Sequence, residues 1–159
     1  MEKKLFIKMV LDTWNTKLSG LDKLFAELSD EQLKKQIAPG KNTGVYLLGH
    51  MIAINNKMLP LLGLGEELNP DLYKTFVDTA DMDIVERPSI TVLRQEWKKI
   101  NEELGNKFAQ VQPDEWFQKH NSVSEQDFAK EPHRNKLNVI INRTNHLEYH
   151  AGQVVLLKI

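Results

Sequence analysis

The chain has 159 residues, of which 41% are hydrophobic and 27% are charged, and its formal net charge is −1. This composition is typical of one folded domain of roughly 100–200 residues, so we expect a single domain over residues 1–159. It excludes a disordered tail and a membrane bundle, and the balanced charge gives no electrostatic basis for binding nucleic acid or an anionic membrane. Because cysteine is absent, disulfides and thiolate metal ligands are excluded as well.

The N-terminal segment has early lysines, but Lys8 and Asp12 interrupt its apolar residues. A signal peptide needs an uninterrupted apolar stretch of about 7–15 residues, and a membrane span needs roughly 18. Neither is present in the sequence. We therefore expect a cytoplasmic protein.

Apolar residues at spacings of three and four predict four long amphipathic helices. In chain order the predicted helices run from Phe6 to Leu28, from about Thr43 to Leu59, from Ser89 to Pro113, and from about Asn135 almost to Ile159. We expect Pro60 and the Gly63/Gly65 pair to end the second of them, because proline removes a backbone donor and clashes with the preceding turn, and glycine commonly marks a helix end.

Two long segments connect these helices. Residues 65–88 lack sustained periodicity and are acidic, with one helical turn expected near Leu72–Val77 and a solvated loop at Asp78–Glu86. Residues 113–135 contain short capped turns. No alternating β-branched pattern predicts a sheet, so the expected fold is an all-α four-helix bundle. Because both connections are long enough for a crossover, the residues themselves do not fix the topology.

Histidines on two predicted helices form a candidate metal site. His146 and His150 lie four residues apart, which on a helix is about 40° of rotation and one turn of rise. Both imidazoles then project from one face and could share an ion. His50, between apolar neighbours, is the best third candidate. Asn142 and Gln153 extend the polar stripe of the fourth helix, which indicates a lined cavity.

The same residues also permit plainer interpretations. A histidine pair at this spacing occurs on solvated faces, and His50 could be a satisfied core residue. Glu148 lies about 200° around the helix from the first histidine of the pair, so we expect it to form a surface or interhelix salt bridge rather than act as general base. We expect Tyr46 to pack, and His120 and His133 to lie in a solvated loop.

Two segments resemble motifs of the DinB/YfiT-like superfamily of metalloenzymes: Leu48-Gly49-His50 in the second helix, and the run from His146 to Gln153. In that family a second-helix histidine and a C-terminal His-x3-His, usually followed by x-Gly-Gln, bind one divalent metal. The resemblance, which covers essentially the whole chain, therefore implies that His50, His146 and His150 are the metal ligands. It also implies a bundle of up-down-down-up topology, often homodimeric, and a nickel, zinc, iron or manganese ion with open coordination positions.

The resemblance implies a small-molecule substrate but no particular reaction. Relatives include transferases and isomerases that use low-molecular-weight thiols, and others described as metal-dependent hydrolases. An open position on a metal held by three histidines could activate water or bind an external thiol. A bundle that binds a metal or ligand without turnover, and a dry bundle whose histidines only form hydrogen bonds, stay open as alternatives. No catalytic residue is identified. The apolar surface of the first helix and of residues 154–157 predicts a homodimer.

Overall fold

A computed structural model describes residues 2–158, and over this range the chain is all-helical without a β-strand, as predicted. The α-helices are α1 (Glu2–Glu27), α2 (Asp30–Lys34), α3 (Gly44–Leu62), α4 (Asp71–Tyr73), α5 (Ile90–Gln110), α6 (Glu125–Lys130) and α7 (Lys136–Val154). The short α4 continues into a π-helical turn, Lys74–Asp78, and α7 continues into a 3-10 turn, Val155–Lys158. None of the helices in the described part of the chain is long and apolar enough to cross a bilayer.

The four predicted helices correspond to α1, α3, α5 and α7, and side-chain caps define where three of them begin. Thr43, Ser89 and Asn135 each accept a hydrogen bond from a backbone N–H three residues further on. Such caps satisfy donors that have no partner within the helix. The predicted helical turn near Leu72–Val77 is also present, as α4 and the π-helical turn after it.

Of the residues predicted to end the second helix, Gly63 is confirmed and Pro60 is wrong. The helix α3 continues to Leu62 and is terminated by Gly63, whose φ of 69° is left-handed. Pro60 lies in the last turn of the helix, where its missing N–H removes only one hydrogen bond from the ladder. The Gly63 N–H bonds the carbonyls of Leu59 and Pro60 instead, which is a common way to close a helix.

The long helices pack around one continuous apolar core. The helix α1 packs along α7, α3 packs along α5, and α3 also contacts α7. Aromatic pairs fill the space between α1 and α5: Trp14 lies edge-on to Phe108 with ring centroids 6.3 Å apart, and Phe25 lies edge-on to Trp97 at 5.6 Å. Trp14 and Trp97 therefore serve packing, and the burial of such large rings is a main source of stability.

The predicted apolar stripe is wrong at the start of α1. Phe6 is 48% exposed, whereas its neighbour Ile7 is 8% exposed. Ile7, Trp14 and Leu21 follow one another at two-turn intervals and are all buried, so they define the face that packs against the core. Phe6 lies about 100° around the helix from Ile7 and consequently faces outward together with Met9.

The expectation of a solvated acidic loop is wrong for Asp81, which is 7% exposed. Its Oδ2 accepts a hydrogen bond of 2.6 Å from the Thr43 N–H, and its Oδ1 accepts one of 2.8 Å from Arg87. The carboxylate lies at the N-terminus of α3, where negative charge is stabilising. Asp81 therefore fastens the connection between α4 and α5 to the start of α3.

Gly49, the residue that precedes His50, packs closely against the ring of Phe76. A Cβ on Gly49 would lie 2.5 Å from the ring of Phe76. We expect Gly49→Ala to destabilise the protein by about 1–3 kcal/mol through overpacking, although alanine is the better helix former. Gly20→Ala is the control, because a Cβ there meets nothing within 4 Å, and it should stabilise by up to about 1 kcal/mol. Urea unfolding measures both changes, and equal effects would contradict the close packing.

Candidate metal centre

Three histidines from two helices meet at one point. His50 comes from α3, and His146 and His150 come from α7. Ligand nitrogens of the three lie within 4.8 Å of one another. The Nε2 atom of His146 lies 3.2 Å from Nε2 of His50 and 3.1 Å from Nε2 of His150. The structure thus brings together all three residues that the sequence singles out.

The second nitrogen of two of these rings is held by an oxygen acceptor. Nδ1 of His50 lies 2.9 Å from the carbonyl oxygen of Phe76, and Nδ1 of His150 lies 2.7 Å from Oε1 of Gln153. Since an oxygen can only accept, each Nδ1 carries the proton and each neutral ring keeps a lone pair on Nε2. A ring whose other N–H donates to a carbonyl or carboxamide oxygen has the usual arrangement of a metal-ligating histidine.

These tautomers do not suit a dry cluster of hydrogen-bonded histidines. The Nε2 atoms of His50 and His150 both present lone pairs toward Nε2 of His146. A neutral His146 has at most one proton on that nitrogen and can make one good hydrogen bond, which leaves a second pair of nitrogens in repulsive contact. An unpaired polar atom in a half-buried position is costly. A cation placed among the three nitrogens would satisfy all of them, so these residues fit and could hold a metal ion.

Burial keeps all three rings neutral. It lowers the pKa of His146 to about 3, helped by repulsion from His150 and His50 and by the positive charge of Arg143. Burial likewise lowers the pKa of His50, partly opposed by the bond to Phe76, and that of His150, partly opposed by the bond to Gln153. Because a metal competes with protons for imidazole nitrogen, neutral rings are ready to bind it at pH 7.

The aromatic residue one turn before His50 packs, as expected. The ring of Tyr46 stacks on the His50 ring with 12° between the planes and 6.2 Å between centroids. Its hydroxyl donates to the Thr79 carbonyl at 3.1 Å. Tyr46 therefore fixes the His50 ring and the loop beside it.

The prediction for Glu148 is confirmed. Its carboxylate pairs with Lys17 of α1 at 3.0 Å, on the interface between α1 and α7. His120 and His133 lie outside the cluster: His133 is exposed, and Nδ1 of the half-buried His120 accepts from the Ser122 N–H at 3.3 Å. Both histidines therefore belong to the connection that precedes α7, in agreement with the sequence analysis.

Sequence reasoning missed two groups next to the histidines. Phe76 contributes through its backbone carbonyl, for which no side-chain signal exists. Arg143 lies three residues before His146, and its positive charge helps to lower the pKa of both His146 and His50. Its spacing of three from His146 could have indicated that it lies on the same face of the helix. Asn142, which was predicted to belong to the polar stripe, is exposed, and its side chain has no hydrogen-bonding partner within residues 2–158.

The fold and the site define an all-helical protein with a three-histidine cluster that could hold a metal ion. The family model described as the DinB superfamily matches residues 14–154. The chain therefore belongs to the DinB superfamily. A search of curated proteins finds no match.

Proposed function

We propose that His50, His146 and His150 bind one divalent metal ion and that the protein is a metal-dependent enzyme acting on a small molecule. The observation that carries this proposal is the convergence of three Nε2 atoms at distances of 3.1 and 3.2 Å. Membership of the DinB superfamily supports it. When bound, the ion would supply Lewis acidity, either to lower the pKa of a water molecule to about 7 or to bind an external thiol as thiolate.

The donor set narrows the choice of ion. Within residues 2–158 the metal-binding cluster contains only histidines, and neutral imidazole suits zinc, nickel and iron, whereas manganese prefers oxygen ligands. Of the four metals that the sequence resemblance implies, we favour zinc, nickel or iron. Elemental analysis of untagged protein purified without added metal should find about one equivalent of such an ion. A chain purified without metal that also fails to take up added zinc or nickel would contradict the proposal.

Two reaction classes fit such a site: transfer to a low-molecular-weight thiol, and metal-assisted hydrolysis. Because the chain has no cysteine, the sulfur of a transferase would come from a co-substrate. A bundle that binds metal without turnover is the alternative. Turnover screens distinguish the transferase, the hydrolase and the bundle without turnover. They test thiol-dependent substrates and ester or amide substrates, and they compare metal-loaded with metal-free protein. A cytoplasmic location suits the use of a cellular thiol, and we retain it as part of this proposal.

Gln153 should tune metal affinity without binding the metal. Its Oε1 lies 2.7 Å from Nδ1 of His150 and so holds that ring in the tautomer with a free Nε2 lone pair. We expect Gln153→Ala to weaken metal binding by about 10–100-fold, as for other partners of ligating histidines. Competition with a chelator measures this, and Gln118→Ala on the exposed side of the preceding connection is the control. An unchanged affinity in Gln153→Ala would contradict the orienting role.

We also infer that the four long helices form one four-helix bundle of up-down-down-up topology and a single domain. Lys17 of α1 pairs with Glu148, and Glu27 pairs with Lys158. Because the later residue of α1 pairs with the later residue of the C-terminal segment, α1 runs parallel to α7. The pairs that support antiparallel neighbours are Trp14–Phe108 and Phe25–Trp97 for α1 and α5, and Gly44–Leu157 and His50–His146 for α3 and α7.

A homodimer through α1 and the C-terminal turn is a further part of the proposal. Leu5, Phe6 and Met9 are 48–59% exposed on α1, and Val155 and Leu156 are each 46% exposed. Exposed apolar side chains in such numbers are typical of interfaces. We expect sedimentation at high micromolar concentration to show a dimer and Met9→Glu to weaken it. A wild-type monomer under these conditions would contradict the dimer.

A further inference from the structure

Arg143 is a cation beside the histidine cluster for which the described residues 2–158 provide no anionic partner. It lies on the same face of α7 as His146 and His150, at positions i, i+3 and i+7. Its guanidinium is half-buried, and burial lowers its pKa. Within residues 2–158 no carboxylate lies within 4.0 Å of it and it donates no hydrogen bond to the protein. Its nitrogens are not among the fully buried atoms that lack a partner, so they reach the solvent and can bind an anion that replaces water.

The guanidinium lines an open cleft of about 400 Å³ between α3 and α7. On the α3 side the cleft includes Lys57, which is seven residues and therefore two turns after His50. None of the three histidines lines the cleft, and Arg143, three residues before His146 on α7, is the residue that lies between the cleft and the cluster. The volume of the cleft lies at the lower end of the range for small-molecule sites, about 300–1,000 Å³.

The other charges around the cleft already have partners. The Lys57 ammonium pairs with Glu67 at 2.6 Å and lies 4.7 Å from the centre of the Tyr73 ring. The carboxylate of Asp78 also acts on Lys57. Lys57 is therefore neutralised within the protein, and Arg143 is the cation of the cleft for which the described residues provide no counter-charge.

The part of the cleft wall that comes from the connection before α7 is held in place by hydrogen bonds to α3. The side-chain amide of Asn121 donates to the Pro60 carbonyl at 2.6 Å, and its backbone N–H donates to the Leu61 carbonyl at 2.9 Å. Both bonds fasten the connection before α7 to the end of α3. The cleft is thus formed by fastened segments, which limits the ordering that a ligand would have to impose.

The unpaired positive charges next to the histidines point to an anion. Three neutral imidazoles leave the charge of a divalent ion uncompensated, and Arg143 adds a further positive charge nearby. We propose that Arg143 binds a carboxylate or similar oxyanion of the substrate, whose reacting end lies at the histidine cluster. This inference rests on the proposed metal site. A guanidinium suits this role because its planar N–H groups match a carboxylate with two parallel hydrogen bonds.

Two hydroxamates of equal length test the inference on cobalt-loaded protein. Both chelate the ion, and they differ only in the far end: butyrohydroxamate ends in a methyl group and the monohydroxamate of succinic acid ends in a carboxylate. The visible absorption of Co²⁺ reports binding of each. We expect the carboxylate compound to bind about tenfold more tightly, which corresponds to about 1.4 kcal/mol, and Arg143→Gln to abolish that preference while cobalt binding is retained.

Arg134→Gln is the matched control. Arg134 precedes α7 and pairs with Glu131 at 3.1 Å, so its loss should leave the tenfold preference intact. Equal affinities in the wild type, failure of both compounds to change the cobalt spectrum, or a preference retained in Arg143→Gln would each overturn the anion site while the metal site stands. Failure to bind cobalt at all would instead overturn the metal site and, with it, the anion site.

Discussion

Alanine at His50, His146 or His150 is expected to remove tight binding of a divalent ion. Each substitution deletes one of three converging nitrogen donors, and the two that remain cannot hold the ion as firmly. The affinity for the metal should fall by more than the roughly 10–100-fold that is expected when a residue that hydrogen-bonds a ligating histidine is removed. Metal content after dialysis, together with competition against a chelator, measures the loss. His120→Ala is the control, because His120 lies outside the cluster and bonds only its own loop.

The stability of the metal-free variants separates a metal site from a dry core. If the histidines served only to bond one another, removing His146 would leave Nε2 of His50 and Nε2 of His150 without the partner that they share and would destabilise the protein. In a metal site the metal-free cluster is itself unfavourable, because lone pairs of His50 and His150 face the same atom. We therefore expect metal-free His146→Ala to be no less stable than the metal-free wild type. A loss of several kcal/mol, with metal binding retained, would contradict the site.

Much of this site follows from the sequence, because helical spacing is a strong constraint. His146 and His150 had to share a face once α7 was helical, and Glu148 had to leave it, as its pairing with Lys17 shows. The third histidine was less determined. Apolar neighbours indicated that His50 faces inward, but only the packing of α3 against α7 brings it to the pair, and spacing within one helix holds no information about its neighbour.

Groups that act through tertiary structure escaped the sequence analysis. The carbonyl of Phe76 reaches His50 because the chain after α4 forms a π-helical turn, and such turns depend on packing more than on residue type. Asp81 resembled other loop acids, yet it is buried by its bonds to Thr43 and Arg87. Arg143 would have been assigned to solvent by its charge alone.

The lowered pKa of His146 determines how the stability of the protein changes with pH. The pKa of His146 is lowered to about 3 in the folded protein, against about 6.5 in an unfolded chain. Below pH 6.5 the unfolded state therefore binds more protons than the folded state, and stability rises with pH in that range. We expect metal-free protein to lose stability progressively from about pH 6.5 downward, and His146→Ala to lose less than the wild type between pH 6.5 and pH 4.

Stabilisation by metal should persist to lower pH than free imidazoles would allow. An ion at a hundredfold excess over Kd stabilises by about 2.7 kcal/mol, which raises Tm by roughly 5–10 °C in a domain of this size. Ordinary imidazoles would begin to lose the ion near pH 6.5, but burial lowers the pKa of all three rings, so protons compete only in more acidic solution. Thermal unfolding with and without zinc should therefore show a nearly full increment at pH 6 and a declining one toward pH 4. The triple-alanine variant should show none at any pH, and an increment independent of pH in the wild type would mean that the ligands are not histidines.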